Sequence, residues 1–199
     1  MFRRSLTVLL ALACVAVLVP AALAARVHVR VEGKTQTIFG ATEPVLDVPS
    51  TALDALETAS AAGEFYYHVK LFSFGSFVDQ IGRYPGSGAS GWSFKVNGAA
   101  PQVGADSVQL KDGDTVLWYW STFSGTGGSP TLELKRVKKP RCYRVFSVDD
   151  KGNASPAAGA VLHVDSRSIK TKGGGACLRR PHGLVRATLQ GSVRSNALA

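Results

Sequence analysis

The chain has 199 residues, of which 45% are hydrophobic and 19% are charged, and its formal net charge is +9. This apolar content is too high for a disordered tail, and the sequence lacks the patterns of collagen-like or multi-span membrane proteins. A globular product is therefore expected. A net charge of this sign first suggests nucleic acid, a membrane or an acidic polymer as the partner.

The N-terminus has the pattern of a secretory signal peptide. Arg3 and Arg4 precede an apolar run over residues 6–23, which is broken by Pro20 and ends in Ala22-Leu23-Ala24. This pattern predicts a signal peptide over residues 1–25, cut after Ala24 or Ala25, with an uncleaved anchor as the alternative. The expected product has no membrane span and is secreted or extracytoplasmic, in association with the cell envelope.

The charge is divided unevenly along the rest of the chain. Residues 26–130 carry 7 basic and 10 acidic side chains, whereas residues 131–199 carry 14 basic and 4 acidic ones. The sign changes at the glycine-rich stretch 124–130, which is typical of a linker. We therefore predict a first domain over residues 26–130 and a basic second domain over residues 131–199. Because the basic charge lies outside the first domain, nucleic acid is not expected as a partner.

The first domain is predicted to combine several strands with one short helix. Period-two alternation indicates strands over 26–31, 67–72, 92–96 and 116–120, and a further run at 35–39 completes an N-terminal hairpin. Residues 51–62 have high helix propensity and end at Gly63. The sequence therefore predicts an α+β domain.

The second domain is predicted to be a small all-β sandwich with one disulfide. Strand-like runs at 132–137, 143–148, 160–164 and 184–189 are separated by turn residues, without a helix signal. In an oxidising compartment, the even pair Cys142 and Cys177 predicts a disulfide. The run from Thr131 to Val137 has two possible partners, because it could pair with either domain.

No pattern of residues indicates catalysis, a metal or a cofactor. Residues 86–91 formally match GxGxxG, but a strand follows them where a dinucleotide site needs a helix, so we interpret them as a loop. The acidic stretches at 112–114 and 149–153 lack the remaining ligands of a calcium loop and are typical of turns. An enzyme would need His68 or His182 to meet a carboxylate or a nucleophile in a cleft.

Aromatic and glycine residues of the first domain are the candidates for ligand binding. Aromatic residues at period two, such as Trp92, are more typical of a core. The less regularly spaced Phe72, Phe74, Tyr84 and Tyr119 are better candidates for an exposed surface. The candidate set is Phe72, Phe74, Tyr84, Gly86, Gly88, Gly91, Trp92 and Tyr119.

The second domain contains a run of cations suited to an anionic polymer. A solvated strand end is the alternative interpretation of the same run. The candidate contact residues are Lys135, Arg136, Lys138, Lys139 and Arg141.

Several short motifs, in order, resemble the transcobalamin-like C-terminal domain family, a bacterial secreted domain of unknown function. They are the helix 52–59, the segment 74–78, Gly91-Trp-Ser-Phe-Lys-Val-Asn-Gly98, Val103-Gly-Ala-Asp106 and the segment 110–119. The resemblance covers roughly residues 26–123 and implies a β-grasp-type fold with a mixed sheet. In transcobalamin and intrinsic factor, the related domain closes over cobalamin.

Two segments of the second domain resemble small modules found on exported proteins. Residues 156–161 and 184–191 are similar to carboxypeptidase-regulatory or bacterial immunoglobulin-like repeats, which are usually spacers or adhesion units.

Together these features predict an exported, non-enzymatic binding protein without a cofactor. The first domain would recognise a small soluble ligand, with cobalamin-like molecules among the candidates, or a protein partner. The basic domain would associate with the envelope. The alternative is a structural or adhesive cell-surface protein with no small-molecule site. The oligomeric state is left open.

Overall fold

The computed structural model of the chain describes residues 24–199, apart from residues 74, 126 and 180. The signal-peptide prediction falls almost entirely on residues outside this part. The elements are β1 (Ala25–Glu32), β2 (Thr37–Phe39), β3 (Val45–Val48), α1 (Ala52–Gly63), β4 (Tyr67–Phe72), β5 (Gly75–Ile81), β6 (Tyr84–Pro85), β7 (Ser90–Val96), β8 (Thr115–Thr122), β9 (Thr131–Arg136), β10 (Cys142–Val148), β11 (Ala154–Pro156), β12 (Val161–Val164), β13 (Arg167–Lys170), β14 (Gly175–Cys177), β15 (Val185–Thr188) and β16 (Ala197–Leu198).

The described part of the chain is mostly β, with 50% of its residues in strands and 7% in one helix. The prediction of an α+β, β-grasp-like domain is therefore wrong, although the central sheet does contain both parallel and antiparallel pairs. The α+β prediction depended on the one helix, because capping and propensity are strong local signals. Short strands such as β3, β6 and β11 carry almost no such signal. The expectation of an all-β second half with a disulfide agrees in part with the structure.

The central sheet lies in the first half of the chain. Its order is β2-β1-β8-β7, and β3 also pairs with β1. The β1–β8 pair is parallel, whereas β7 and β8 are antiparallel. Helix α1 packs on one face of this sheet through Ala52, Ala55, Leu56 and Ala59, which are all buried. This face is the apolar core of the first half.

Helix α1 begins one residue later than the sequence suggested. Thr51 is its N-cap and forms a capping box with Asp54, in which each side chain accepts a hydrogen bond from the other residue's backbone N–H. The helix includes Gly63 and ends at Glu64, which has a left-handed backbone with φ of 51°. No helix in the described part of the chain is long and apolar enough to cross a membrane.

A small antiparallel sheet, β4-β5-β6, lies beside the central sheet. Strand β5 packs against β7 and contributes the buried residues Val78 and Ile81 to the first core. At the far end of this sheet, Leu71 is 83% exposed.

Two four-stranded sheets form the second half. One has the order β11-β10-β14 with β9 also paired to β10, and the other has the order β13-β12-β15-β16. Leu132, Tyr143 and Val145 of the first sheet share one buried cluster with Leu162 and Val185 of the second. Strand β9 pairs with β10, which answers the question of where the run from Thr131 belongs. The exact domain boundary stays a prediction.

The second face of the central sheet is buried against the second half of the chain. Glu32 of β1 is 0% exposed and pairs with Arg30 of the same strand and with Arg186 and Arg194 of the second half. On β8, Leu117 and Tyr119 cluster with Val193. Charged and apolar groups of both halves therefore meet across this face, which we call the charged face.

Lys95 of β7 is a second buried charge on the charged face. Its ammonium donates to the carbonyl oxygens of Val148 and Asp149 at 2.9 and 2.8 Å and lies 3.6 Å from the carboxylate of Asp150. Burial lowers the pKa of Lys95, and the carboxylate of Asp150 partly offsets this effect. The second half thus provides the oxygen atoms that solvate this cation.

Candidate functional site

An aromatic groove opens on the apolar side of the first half. It has a volume of about 410 Å³ and lies between β5, β7 and the loop at residues 101–105. The residues that define it here are Phe77, Trp92, Phe94, Val103 and Trp118. Its size lies within the usual range for small-molecule sites, about 300–1,000 Å³.

Strand alternation places the aromatic side chains of the groove. Trp92 and Phe94 lie two residues apart on β7, and Phe94 faces Trp118 of β8 across the sheet. The rings of Phe94 and Trp118 stack with centroids 5.0 Å apart. Trp92 meets Trp120 edge to face at 5.8 Å. These contacts hold the rings in fixed orientations.

Hydrogen bonds to the backbone occupy the polar atoms of the two indole rings. The Nε1 of Trp92 donates to the carbonyl of Tyr84 at 2.8 Å, and the Nε1 of Trp118 donates to the carbonyl of Ala52 at 3.2 Å. The indoles therefore offer only ring carbon atoms to the groove.

The rim of the groove is apolar and exposed. Phe77 is 43% exposed and Val103 is 57% exposed, whereas Trp92 and Trp118 beneath them are buried. Gln102 lies beside Val103, and its amide donates to the carbonyl of Ala100 at 3.3 Å. The groove thus suits a ligand with an apolar face and a polar edge.

Two of the predicted ligand-binding aromatics lie at or near the groove. Trp92 forms part of its lining. Phe72 contacts the rim residue Phe77, with ring centroids 6.2 Å apart and an edge-to-face geometry. Phe74 lies outside the described residues. The assignment of these residues to a ligand stays a prediction.

Tyr84 lies on a different surface of the first half. Its hydroxyl makes hydrogen bonds with Thr35 at 2.7 Å and with the guanidinium of Arg83 at 3.2 Å. The bond with Thr35, followed by that from Arg83, lowers the pKa of Tyr84.

The glycine loop at residues 86–91 forms a tight turn away from the groove. Ser87 and Ser90 exchange two backbone hydrogen bonds, and Gly88 has φ of 58°, a conformation that glycine adopts easily. Gly86, Gly88 and Gly91 do not line the aromatic groove.

The expectation that Tyr119 is exposed is wrong. Tyr119 lies on the charged face of the sheet and is 0% exposed. Burial raises its pKa to about 12; a hydrogen bond with Ser93 opposes this shift, and nearby Asp150 adds to it. The sequence placed Leu117 and Tyr119 together on one face but gave no indication that the second half covers it.

Four of the residues that define the groove were missed as candidates for binding, namely Phe77, Phe94, Val103 and Trp118. Phe94 and Trp118 share the period-two face of Trp92, so the alternation of β7 and β8 could have identified them. Val103 comes from a loop and joins the groove only through the tertiary fold. No local sequence signal indicates its role.

His68 meets a carboxylate, which is part of what the enzyme alternative needs, whereas His163 and His182 have other surroundings. Nδ1 of His68 lies 2.6 Å from Asp79, but His68 is exposed on a strand and its described hydrogen bonds reach no nucleophile. Burial raises the pKa of Asp79, but hydrogen bonds from Lys70 and His68 outweigh it, so the pKa is lowered overall. His163 contacts the hydroxyls of Ser168 and Thr188. His182 is exposed.

The acidic stretches form turns, as the sequence suggested. Asp149 accepts hydrogen bonds from the backbone N–H groups of Lys151 and Asn153, and these contacts with Asn153 and Lys151 lower its pKa. Asp114 accepts from the N–H of Lys111. Among the described residues, no group of three or more His, Cys, Asp or Glu side chains could hold a metal ion.

The disulfide prediction is confirmed, because Cys142 and Cys177 are bonded with an S–S distance of 2.03 Å. The predicted cations of the second half lie at the same end of its sheet. All five are exposed, and Lys135 pairs with Glu133 at 2.9 Å. The remaining four are Arg136, Lys138, Lys139 and Arg141.

Comparison with known proteins assigns a family to the segment that contains the groove. A search of curated proteins finds no match to the chain. Residues 50–122 match the family described as "Domain of unknown function (DUF4430)". This segment includes α1, β5, β7, β8 and the loop at 101–105. Residues 50–122 therefore form a DUF4430 domain, a member of the family of transcobalamin-like domains.

Proposed function

We propose that this chain is an exported, non-enzymatic binding protein whose DUF4430 domain takes a small ligand in the aromatic groove. The observation that carries the proposal is an open groove of about 410 Å³ in which exposed Phe77 and Val103 stand above buried tryptophans. A monomeric surface that exposes clustered apolar groups commonly marks a binding site.

The geometry favours a ligand with a broad apolar face. The rings of Trp92, Phe94 and Trp118 are fixed by stacking and by hydrogen bonds, so binding costs little ordering of side chains. Planar macrocycles such as tetrapyrroles, and cobalamin-like molecules, have a face of this kind and polar groups at the edge. These ligands are the first to test.

Intrinsic fluorescence offers a direct test, because the chain has 3 tryptophans and all of them lie in β7 and β8. The mature chain is titrated with a panel of cobalamins and tetrapyrroles, and tryptophan quenching is recorded after correction for absorbance. Saturable quenching by at least one member of the panel is expected.

A matched pair of variants locates the binding. Val103→Asp places a carboxylate at the rim of the groove and is expected to weaken binding roughly tenfold or more, since a charge must be desolvated against the ligand. Leu71→Asp makes the same kind of change at an exposed position of β4 and should leave binding unchanged. Equal effects of the two variants would contradict a groove site.

Absence of saturable binding by every member of the panel would remove these ligands. It would favour the alternative of a structural or adhesive surface protein without a small-molecule site. The matched variants would then have no binding to affect, so they would not rescue the proposal.

The proposal includes association of the basic second half with an anionic envelope polymer. Four exposed cations of the predicted cluster make no ion pair with a described residue. Retention of the mature chain on purified envelope polymer, lost as salt is raised, is expected. The similarity of this half to carboxypeptidase-regulatory or immunoglobulin-like modules is part of the same proposal, and such modules commonly serve as spacers or adhesion units.

A further inference from the structure

A hollow lies at the disulfide end of the second half, beneath the turn between β9 and β10. It has a volume of about 330 Å³, and its lining includes Arg136, Lys139, Arg141 and Tyr143, with Pro181 and Ala199 on the other side. Among the described residues, its lining includes no Asp or Glu. We call it the basic hollow.

The cations of the basic hollow make no ion pair with a described residue. The ion pairs within the described second half use Lys135 with Glu133 and Arg167 with Asp165. Two further arginines pair across the charged face with Glu32. Arg136, Lys139 and Arg141 take part in none of these pairs, so their charges are available to a ligand.

A tyrosine whose hydroxyl has no described partner also lines the basic hollow. Tyr143 is only 3% exposed and its ring belongs to the core of the second half, yet its hydroxyl makes no hydrogen bond with a described residue. No side-chain oxygen or nitrogen that is fully buried within the described structure lacks a partner. The Tyr143 hydroxyl is therefore not fully enclosed, and a phenol in this position is a possible donor to a ligand of the hollow.

Arg141 occupies a backbone position that glycine fits better. The N–H of Cys142 donates to the carbonyl of Lys139, which closes a turn with Pro140 second and Arg141 third. Arg141 has φ of 59°. Proline followed by a residue with positive φ is the type II arrangement, in which the third position favours glycine. The turn itself gains nothing from an arginine there.

More cations continue outward from the hollow. Lys138 belongs to the exposed turn between β9 and β10. Arg179 follows Leu178, whose N–H donates to the carbonyl of Arg141 at 2.8 Å. The Cys142–Cys177 bond fixes these two segments side by side. The charged surface is therefore larger than a single ion needs.

We infer that the basic hollow binds one phosphate group of a polymer with repeating phosphates, and that the outer cations contact the neighbouring repeats. This inference rests on the proposed envelope association and names the chemistry of its partner. A tetrahedral phosphate accepts hydrogen bonds from several directions, and two arginines, a lysine and a tyrosine line this one hollow. A planar carboxylate uses fewer of these donors.

The test uses the whole mature chain, with inorganic polyphosphate as the probe and polyglutamate and inorganic phosphate as comparisons. Arg141→Gly removes the charge and fits the turn. It is expected to weaken polyphosphate binding roughly tenfold, the usual effect of losing one charge-assisted contact. Its Tm should be unchanged or higher, because the positive φ suits glycine. A residue with a merely structural role would lower the Tm.

Three control variants separate the hollow from net charge. Arg141→Lys keeps the cation and should retain most of the binding. Lys170→Gln removes one exposed cation on β13 and should change binding less than twofold. Tyr143→Phe removes only the hydroxyl and should weaken binding a fewfold without changing its dependence on salt, since no charge is lost.

Two results would overturn the inference. Unchanged polyphosphate affinity of Arg141→Gly would show that the hollow is not the site. Equal affinity of the native chain for polyglutamate and polyphosphate would overturn the phosphate assignment. The groove titration is repeated with Arg141→Gly and should be unchanged. If Arg141→Gly leaves polyphosphate binding unchanged while the groove still binds its ligand, only this inference is wrong. If the groove titration shows no binding, the proposed ligand function is wrong.

Discussion

The two faces of the central sheet are both buried, but by opposite chemistry. One face carries Val27, Val29 and Val31 and packs on helix α1. The other carries Arg30 and Glu32 and packs on the second half of the chain. The apolar side leads to the open aromatic groove, whereas the charged face is covered by the second half, which leaves a cavity of about 360 Å³ beside Arg30, Lys95 and Leu117.

The alternation of residues along a strand therefore predicts which side chains share a face, but it does not predict what covers that face. A polar face usually indicates solvent on one side of a sheet. Here the second half supplies the partners that buried charges need, including two arginines for Glu32 and two carbonyls for Lys95. Glu32 therefore neutralises part of the positive charge of the second half within the molecule.

The largest loss of stability is expected when the Glu32 carboxylate is removed from the charged face. Glu32→Ala leaves Arg30, Arg186 and Arg194 close together without their shared carboxylate. We expect the free energy of unfolding to fall by about 3–5 kcal/mol, as for other buried ion pairs that lose one partner. Urea unfolding measures the change.

Asp47→Ala is the matched control for Glu32→Ala. Its pair with Arg26 spans 3.9 Å and both side chains are mostly exposed. Such surface pairs contribute at most about 1 kcal/mol. If Glu32→Ala and Asp47→Ala cost the same, the charged face does not hold the two halves together.

The apolar face should respond differently to a cavity. Leu56→Ala in α1 removes a fully buried side chain from the first core, with an expected cost of about 3 kcal/mol in the free energy of unfolding. Because no charge is involved, this cost should be the same at low and high salt, measured by the same urea titrations. A cost that falls as salt rises would show that the two faces do not differ in the way described.

The smallest effect at neutral pH is expected at Tyr119, on the charged face. Its pKa is about 12 in the folded state, against 10.0 for the ordinary group. The folded state thus favours the neutral phenol. This contribution to stability is complete below pH 10.0 and is lost as the pH rises towards about 12.

Tyr119→Phe should accordingly reduce the loss of stability at alkaline pH. Absorbance titration of the 5 tyrosines should also lose its last-titrating component in this variant. At neutral pH the variant should cost under about 1 kcal/mol, because the hydrogen bond from Tyr119 to Asp150 is long at 3.5 Å. Titration of Tyr119 together with exposed tyrosines would contradict its burial.

The sequence predicted the long regular strands better than the short or irregular ones. Strand β1 and the helix α1 were placed within a residue or two, because their periodicity is unbroken. Strand β5 was missed as a strand. Its register against β4 shifts at His68/Val69, so Val78 and Ile81 are both buried although they lie three residues apart. A bulge of this kind removes the period-two signal.

The candidate site was predictable only in part, for a similar reason. The shared face of Trp92, Phe94 and Trp118 follows from alternation along two strands. The exposed rim depends on Phe77 and Val103, which reach the groove from a neighbouring sheet and a loop. Tertiary packing brings these two residues to the groove. Tertiary packing also places the second half over Tyr119. Neither arrangement has a local signal in the sequence.

The second half covers the charged face, whereas the aromatic groove lies on the uncovered side of the first half. Amine-specific labelling of the native chain, mapped by mass spectrometry, tests this most directly, because Lys95 lies in the middle of that face and is 1% exposed. We predict that Lys34 and Lys111, which are exposed, react readily and that Lys95 reacts only after unfolding. Labelling of Lys95 in the native chain at the rate of Lys111 would contradict this arrangement.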